Sequence, residues 1–165
     1  MSINDLELLS PENKDEGIIR YAVAASATII YPGEPVIQSL GDYVVSKMAT
    51  NSPTAGTDYV AGVAMSTSTN TALLAGTVDV LPINPTLVWL ANPYAPTSWD
   101  TQAEYDLLIG DRVLLNLSAG GVFTILATDG TDYGCVIQPL DVKSHPGKIA
   151  FSFKNQVCGV QNQKT

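Results

Sequence analysis

From residue 17 to residue 153 the chain repeats one pattern, a short apolar run closed by turn-forming residues, and this pattern commits it to β structure. Residues 17–25 alternate loosely. Residues 28–31 run into Pro32 and Gly33, and residues 35–40 run into Gly41 and Asp42. Proline and glycine at these points end a strand, because one lacks an N–H and the other favours tight backbone turns. Residues 43–48, 59–65 and 72–81 carry the rhythm on, with polar loops at 50–58 and 66–71 between them. Strands recur about every 10 to 15 residues, near the spacing of a small barrel or sandwich. The expected fold is therefore mainly β: a small β-barrel, tulip-like or sandwich domain with one short helix and an extended N-terminal arm.

The helix is expected just after residue 100. Thr101 and Glu104 have the spacing of a capping box, in which the threonine hydroxyl and the glutamate carboxylate each accept a backbone N–H left over at the helix start. Gly110 is the expected stop, with Tyr105, Leu108 and Ile109 sharing a face over about two turns and Trp99 packing ahead of the cap. Beyond it, residues 112–117 and 122–126 read as a hairpin about the turn 118–121. Residues 135–140 and 148–153 read as the last strands. Ile149, Phe151 and Phe153 alternate with smaller or polar residues, which predicts one buried face. Gly62 and Gly76 lie inside apolar runs, where a tight bend is the plainest expectation and a bulge or close backbone approach the alternative.

Charge divides the chain. Residues 1–16 hold Asp5, Glu7, Glu12, Asp15 and Glu16 against Lys14, whereas Lys143, Lys148, Lys154 and Lys164 follow the last acid, Asp141. The expected organisation is a flexible acidic arm over 1–16, a β-rich domain over 17–154 with lobes at 17–91 and 92–154, and a polar tail over 155–165. The 165 residues suit one domain. Charged residues make up only 15%, against roughly 25% in an average soluble protein. Such a surface is either covered by Ser, Thr and Asn or buried against partners, so an oligomer or a larger assembly is expected.

The same numbers exclude several functions. A net charge of −8 argues against direct binding of nucleic acid, which relies on clustered Lys and Arg. No apolar run approaches the length of a membrane helix, so neither a membrane nor a secretory route is expected and the chain reads as made in the cytoplasm. Cys135 and Cys158 are too few and too far apart for a disulfide scaffold or a CxxC motif, and are expected as reduced structural thiols. Asp129 and Asp132 fit a turn better than a calcium loop. No cofactor fingerprint or metal set is present.

Catalytic groupings are equally thin. His145 is the single histidine, and Asp141, Ser144 and His145 fit a turn better than a triad, since neighbouring Ser and His side chains diverge in an extended loop. Glu34 and Glu104, with Asp58, Asp79 and Asp106, are the only carboxylates outside the arm that a glycosidase reading would draw on first. The expectation is a protein that is not an enzyme, with no catalytic residues. Trp89, Tyr94 and Trp99 cluster about the proline-rich segment, as subunit-interface or core aromatics or, in the alternative, as a sugar or receptor platform.

Residues 59–65, the loop after them and the run Ala75-Gly-Thr-Val-Asp-Val80 resemble the small decoration, or cement, proteins of tailed-bacteriophage heads. Residues 99–105, 110–115 and 134–141 are similar to segments of phage structural proteins, and together these stretches cover about a third of the chain. The resemblance implies a barrel or tulip-like subunit, trimeric, seated on local threefold positions of the capsid and clamping adjacent major capsid protein subunits, often through a terminal arm. The acidic arm matches that position, with Ile3, Leu6, Leu8 and Leu9 as apolar anchors, and the place of action would be the virion surface. The chain departs from the smallest such proteins by its length beyond about residue 92. The alternative is a carbohydrate- or receptor-binding β module of a head fibre or tail.

Overall fold

The computed structural model describes residues 6–8, 17–39, 41–48, 58–93, 99–117, 123–126 and 135–154. The described residues are mainly β, with a closed five-stranded barrel, a second strongly curled sheet and one short helix. The strands are β1 (Glu7–Leu8), β2 (Ile19–Val23), β3 (Pro35–Ser39), β4 (Val44–Lys47), β5 (Asp58–Ala64), β6 (Gly76–Pro82), β7 (Trp89–Pro93), β8 (Arg112–Leu117), β9 (Phe123–Leu126), β10 (Cys135–Ile137) and β11 (Ile149–Phe153). Helix α1 (Gln102–Asp106) lies between β7 and β8.

The barrel runs β2-β4-β3-β5-β6 and closes on itself. The second sheet runs β1-β7-β11-β10-β8-β9, and β7 also pairs with β9, so the sheet curls round until each strand from β7 to β11 has two of the others as neighbours. Closure removes most of the free strand edges on which chains aggregate.

The two rings are the same structure built twice. When β2 to β6 are matched in order to β7 to β11, every pairing keeps its partners and its sense, and keeps its register over the residue pairs common to both rings; the shift in β3–β5 after Val36 lies beyond the pairs of β8 with β10. The single parallel pairing of each ring sets Ala22 opposite Val44 and Asn92 opposite Thr124. Gln38 faces Val45 as Leu115 faces Ile125. Val36 faces Gly62 as Val113 faces Cys135. Ala64 faces Val80 as Ile137 faces Phe151, and Arg20 faces Asp79 as Leu90 faces Ala150. Since a slip of one residue would exchange the two faces of a strand, agreement at all five seams means that equivalent positions point the same way. Val36, Val45, Ala64, Val78 and Val80 line the barrel interior, and their counterparts Val113, Ile125, Ile137, Ile149 and Phe151 are buried to the same degree, each at most 1% exposed. Larger side chains at four of these five positions give the second ring the bulkier core.

The entry to β3 and the entry to β8 are one turn used twice. Glu34 N–H donates to Tyr31 O at 3.2 Å and Asp111 N–H to Leu108 O at 2.9 Å, with Gly33 (φ 88°) and Gly110 (φ 92°) as third residues. This is the position where a type II turn demands positive φ. Gly110 therefore serves the strand and not the helix, which ends at Asp106 with Leu107 as its C-cap; the expected two-turn helix is five residues long. Its capping box forms as expected, and Tyr105 and Trp99 are buried while Ile109 is exposed.

Other expectations shift for identifiable reasons. The boundary between lobes falls between Pro82 and Trp89 and not at 91/92, because β7 pairs with β11, β9 and β1. All five residues of β11 are buried, not one face only, because Tyr105 covers Ala150 and the Gln138 side chain covers Ser152. Gly62 marks close approach and not a bend: a Cβ there would lie 2.3 Å from Leu81 O, and the β3–β5 register shifts beside it. The hairpin over 112–126 forms in the antiparallel sense, with Leu117 opposite Phe123.

The described part of the acidic arm is bound into the fold. Leu6 is 5% exposed, within the cluster that includes Trp89, Phe151 and Phe153, and its N–H donates to Gly33 O at 2.9 Å. Glu7 and Leu8 add a strand to β7, opposite Leu90 and Trp89. That cluster also takes in Ile37, Met48, Val60, Val63 and Leu81 from the barrel, so one apolar seam joins the two rings and residues 6–8 cross it.

Candidate functional site

Beyond Ala64 the chain keeps to the β6 side without being a regular strand. Met65 N–H donates to Asp79 O at 2.8 Å, Thr69 N–H to Thr77 O at 3.0 Å, and Thr77 N–H to Thr69 Oγ1 at 2.9 Å. The hairpin therefore projects past the barrel and turns at residues 71–75. There Thr71 N–H donates to Leu74 O at 2.9 Å while Thr71 Oγ1 accepts from Leu74 N–H at 3.1 Å, a turn closed by a side chain as well as by backbone.

Asn70, 3% exposed, fastens this tip to the β2–β3 connection. Its Nδ2 donates to Ser26 O at 2.8 Å and Thr28 O at 3.1 Å, and its Oδ1 accepts from Ser68 Oγ at 2.6 Å. Ser68 Oγ in turn accepts from Ile30 N–H at 2.9 Å, and Ser26 N–H donates to Thr71 O at 2.9 Å. Gly76 lets the strands close over it, since a Cβ would lie 2.2 Å from Asn70 N. The buried network is satisfied, which makes the loop a rigid one.

What this loop holds out is apolar. Leu73 is 89% exposed and Leu74 67%. Burying a leucine is worth about 1.5–3 kcal/mol, so neither gains anything where it stands. Single exposed apolar residues such as Tyr43 and Leu107 are ordinary. Two adjacent leucines on a loop fixed by a buried hydrogen-bond network form an exposed apolar tip whose shape the fold already sets. Sequence reasoning missed it by assigning 72–81 to one strand; β6 begins only at Gly76.

The expected site residues fall elsewhere. Leu6 is in the protein's own core, Leu8 is paired on β7, and Ile3, Leu9 and Tyr94 lie outside the described residues. Trp89 and Trp99, 2% and 7% exposed, fill the core between the rings and form no open platform. Cys135 is buried in β10, and Cys158, Asp129 and Asp132 lie outside the described residues.

The carboxylates are engaged in structure. Glu34 Oε1 meets Lys47 Nζ at 2.5 Å and its Oε2 accepts Tyr31 N–H at 2.9 Å, beside the entry turn of β3. Asp79 pairs with Arg20, whose hydrogen bond holds its carboxyl below the ordinary range. Glu104 closes the capping box, and Asp106 accepts from Gln102 Nε2 at 2.7 Å. Asp58 begins β5. Asp141 accepts from the Ser144 hydroxyl and from Lys143 N–H at 3.1 Å, and the Ser144 bond is the main reason its pKa is lowered. The serine is thus oriented by aspartate directly, with no histidine between them, which is the chemistry of a turn and not of a triad. Among the described residues no three His, Cys, Asp or Glu side chains gather as a metal site, and no helix is long and apolar enough to cross a membrane.

Comparison with protein-family models, curated proteins and solved structures gives no match. Fold and surface define the class: a β protein of two like rings that presents a rigid apolar tip.

Proposed function

We propose that the chain is a structural protein of a tailed-phage head, a decoration or cement protein seated on the outside of the capsid as a homotrimer and stabilising contacts between major capsid protein subunits. The observation that carries this reading is the hydrogen-bonded tip with Leu73 and Leu74 turned to solvent. A rigid loop loses little conformational entropy when it binds, so a small apolar contact gives useful affinity. Low charge content and the resemblance of residues 59–80 to head decoration proteins support the same assignment. Of the expected arm anchors Leu6 is buried in the fold, and the reading takes the tip as a shell contact. With many equivalent sites on one shell, modest contacts repeated and linked through an oligomer suffice. The reading involves no cofactor, no nucleic acid and no turnover.

The test is the robustness of mature heads prepared without the protein and then supplied with it. The reading expects heads that better survive heating and dilution once the protein is added. Heads equally robust with and without it contradict the reading.

A further inference from the structure

The likeness of the two rings exposes one place where they differ. In the second ring, β7 carries β1 along the stretch Trp89 and Leu90. The matching stretch of the barrel is Ile19 and Arg20 on β2, which has β6 on one side and meets β4 only from Ala22 onward. Backbone directions are the same in both. Asp79, opposite Arg20, sends its N–H to Ser66 Oγ at 3.0 Å and accepts Met65 N–H at its carbonyl, so both of its backbone groups point away from β2. In an antiparallel ladder this makes the pair a non-hydrogen-bonded one, and Arg20 N–H and C=O therefore face away from β6. Ala150 is placed identically, with its N–H on Tyr105 Oη at 2.9 Å and its carbonyl on Gln138 N–H at 2.9 Å, which turns Leu90 toward β1. Arg20 thus presents a donor and an acceptor at the position where the other ring takes a strand, and no strand among the described residues covers them.

We propose that the β2 edge at Ile19 and Arg20 is a docking site for an extended strand of another protein, added antiparallel as β1 is added to β7. The strand it fits alternates apolar and acidic residues. Laid down in the register of β1, an acidic residue at the place of Glu7 would stand opposite Arg20, which would then lie between it and its present partner Asp79, and an apolar residue at the place of Leu8 would meet Ile19, which is 47% exposed. The described strand of this chain with that chemistry is engaged on β7, and the proposal takes a different protein as the source of the docked strand. The docking goes beyond the shell reading and does not rest on it: shell contact through Leu73 and Leu74 concerns a different loop.

The test is an NMR titration of the full-length, isotope-labelled protein with a synthetic peptide of the sequence of residues 2–10, of which Glu7 and Leu8 pair with the equivalent edge on β7. The expected result is chemical-shift change centred on Ile19 and Arg20. Affinity should fall on the order of tenfold in Arg20→Glu and less in Arg20→Gln, and a peptide with lysine in place of Glu7 should recover binding to Arg20→Glu. Arg20→Gln keeps a neutral neighbour beside Asp79 and serves if the reversal disturbs folding. Shifts centred on Trp89 and Leu90, no shift at saturating peptide, or self-association of the protein that Arg20→Glu abolishes without peptide would each overturn the proposal.

Discussion

Gly33 and Gly110 hold the same place in two successive rings: each is the positive-φ third residue of its turn, and each donates its N–H across the ring, to Ala64 O at 2.8 Å and to Ile137 O at 3.0 Å. The acid after each returns the bond through its carbonyl, Glu34 to Ala64 N–H at 2.9 Å and Asp111 to Ile137 N–H at 3.0 Å. The turn thus fastens β3 to β5 and β8 to β10 in identical fashion. An alanine at φ near +90° is strained whatever space surrounds it. Gly33→Ala and Gly110→Ala should therefore each lose about 1–3 kcal/mol in urea unfolding. A loss at one position and none at the other would mean that the two turns are not equivalent.

Gly62 and Gly76 are required for their size. Gly62→Ala places a methyl against the Leu81 carbonyl in β6, and Gly76→Ala one against the Asn70 amide, in a loop whose Asn70 side chain is held by Ser26, Thr28 and Ser68, so neither neighbour has much room to yield. Each change should cost about 1–3 kcal/mol or more, seen as a lower unfolding midpoint. An unchanged midpoint for either would show that the strands separate easily at that point.

Tyr105 links the helix to the second ring. Its hydroxyl accepts Ala150 N–H at 2.9 Å and donates to Gln138 O at 2.9 Å, and burial pushes its pKa up from 10.0 to about 12. Because the folded protein resists ionisation more than the unfolded chain does, the stability it confers is complete below pH 10 and lost as pH rises toward 12. Tyr105→Phe should cost about 1–3 kcal/mol at neutral pH by stranding the Ala150 amide, and should remove this part of the alkaline loss. Urea titrations at pH 8 and pH 11 for both proteins check it. Equal pH dependence in the two would place the loss on other groups.

Asn70 is the fastening of the tip. Asn70→Ala leaves the carbonyls of Ser26 and Thr28 without their side-chain donor. About 1–3 kcal/mol of stability should go, with faster amide exchange at Leu74. Exchange at Leu74 as slow as in the unaltered protein would mean that Thr71 alone fixes the loop.

Much of the fold was legible because much of it is local. Thr101 and Glu104 act across three residues, and the pairing of β8 with β9 needs only a short turn, so both stand in the sequence. The duplication does not. From Ala22 to its counterpart Asn92 is 70 residues and from Val45 to Ile125 is 80, so loops of unequal length erase any fixed period. Buried positions change size between rings, Ala64 to Ile137 and Val80 to Phe151, which keeps shape and loses identity. The tip was hidden for another reason: a hydrophobic run signals a strand whether its side chains end inside or outside, and only the turn at Thr71 decides that Leu73 and Leu74 end outside. Leu6 was read outward for the converse reason, since an acidic segment looks solvated until β7 supplies a partner strand.

Cosedimentation with mature phage heads that lack the protein tests the central claim most directly, comparing the unaltered chain with Leu73→Asp/Leu74→Asp. Both side chains are exposed, so the double variant should unfold at the same denaturant concentration as the unaltered protein. The account predicts that the unaltered protein saturates the shells and that the variant binds at least about tenfold more weakly. Equal binding by the two, or no binding by the unaltered protein, contradicts it.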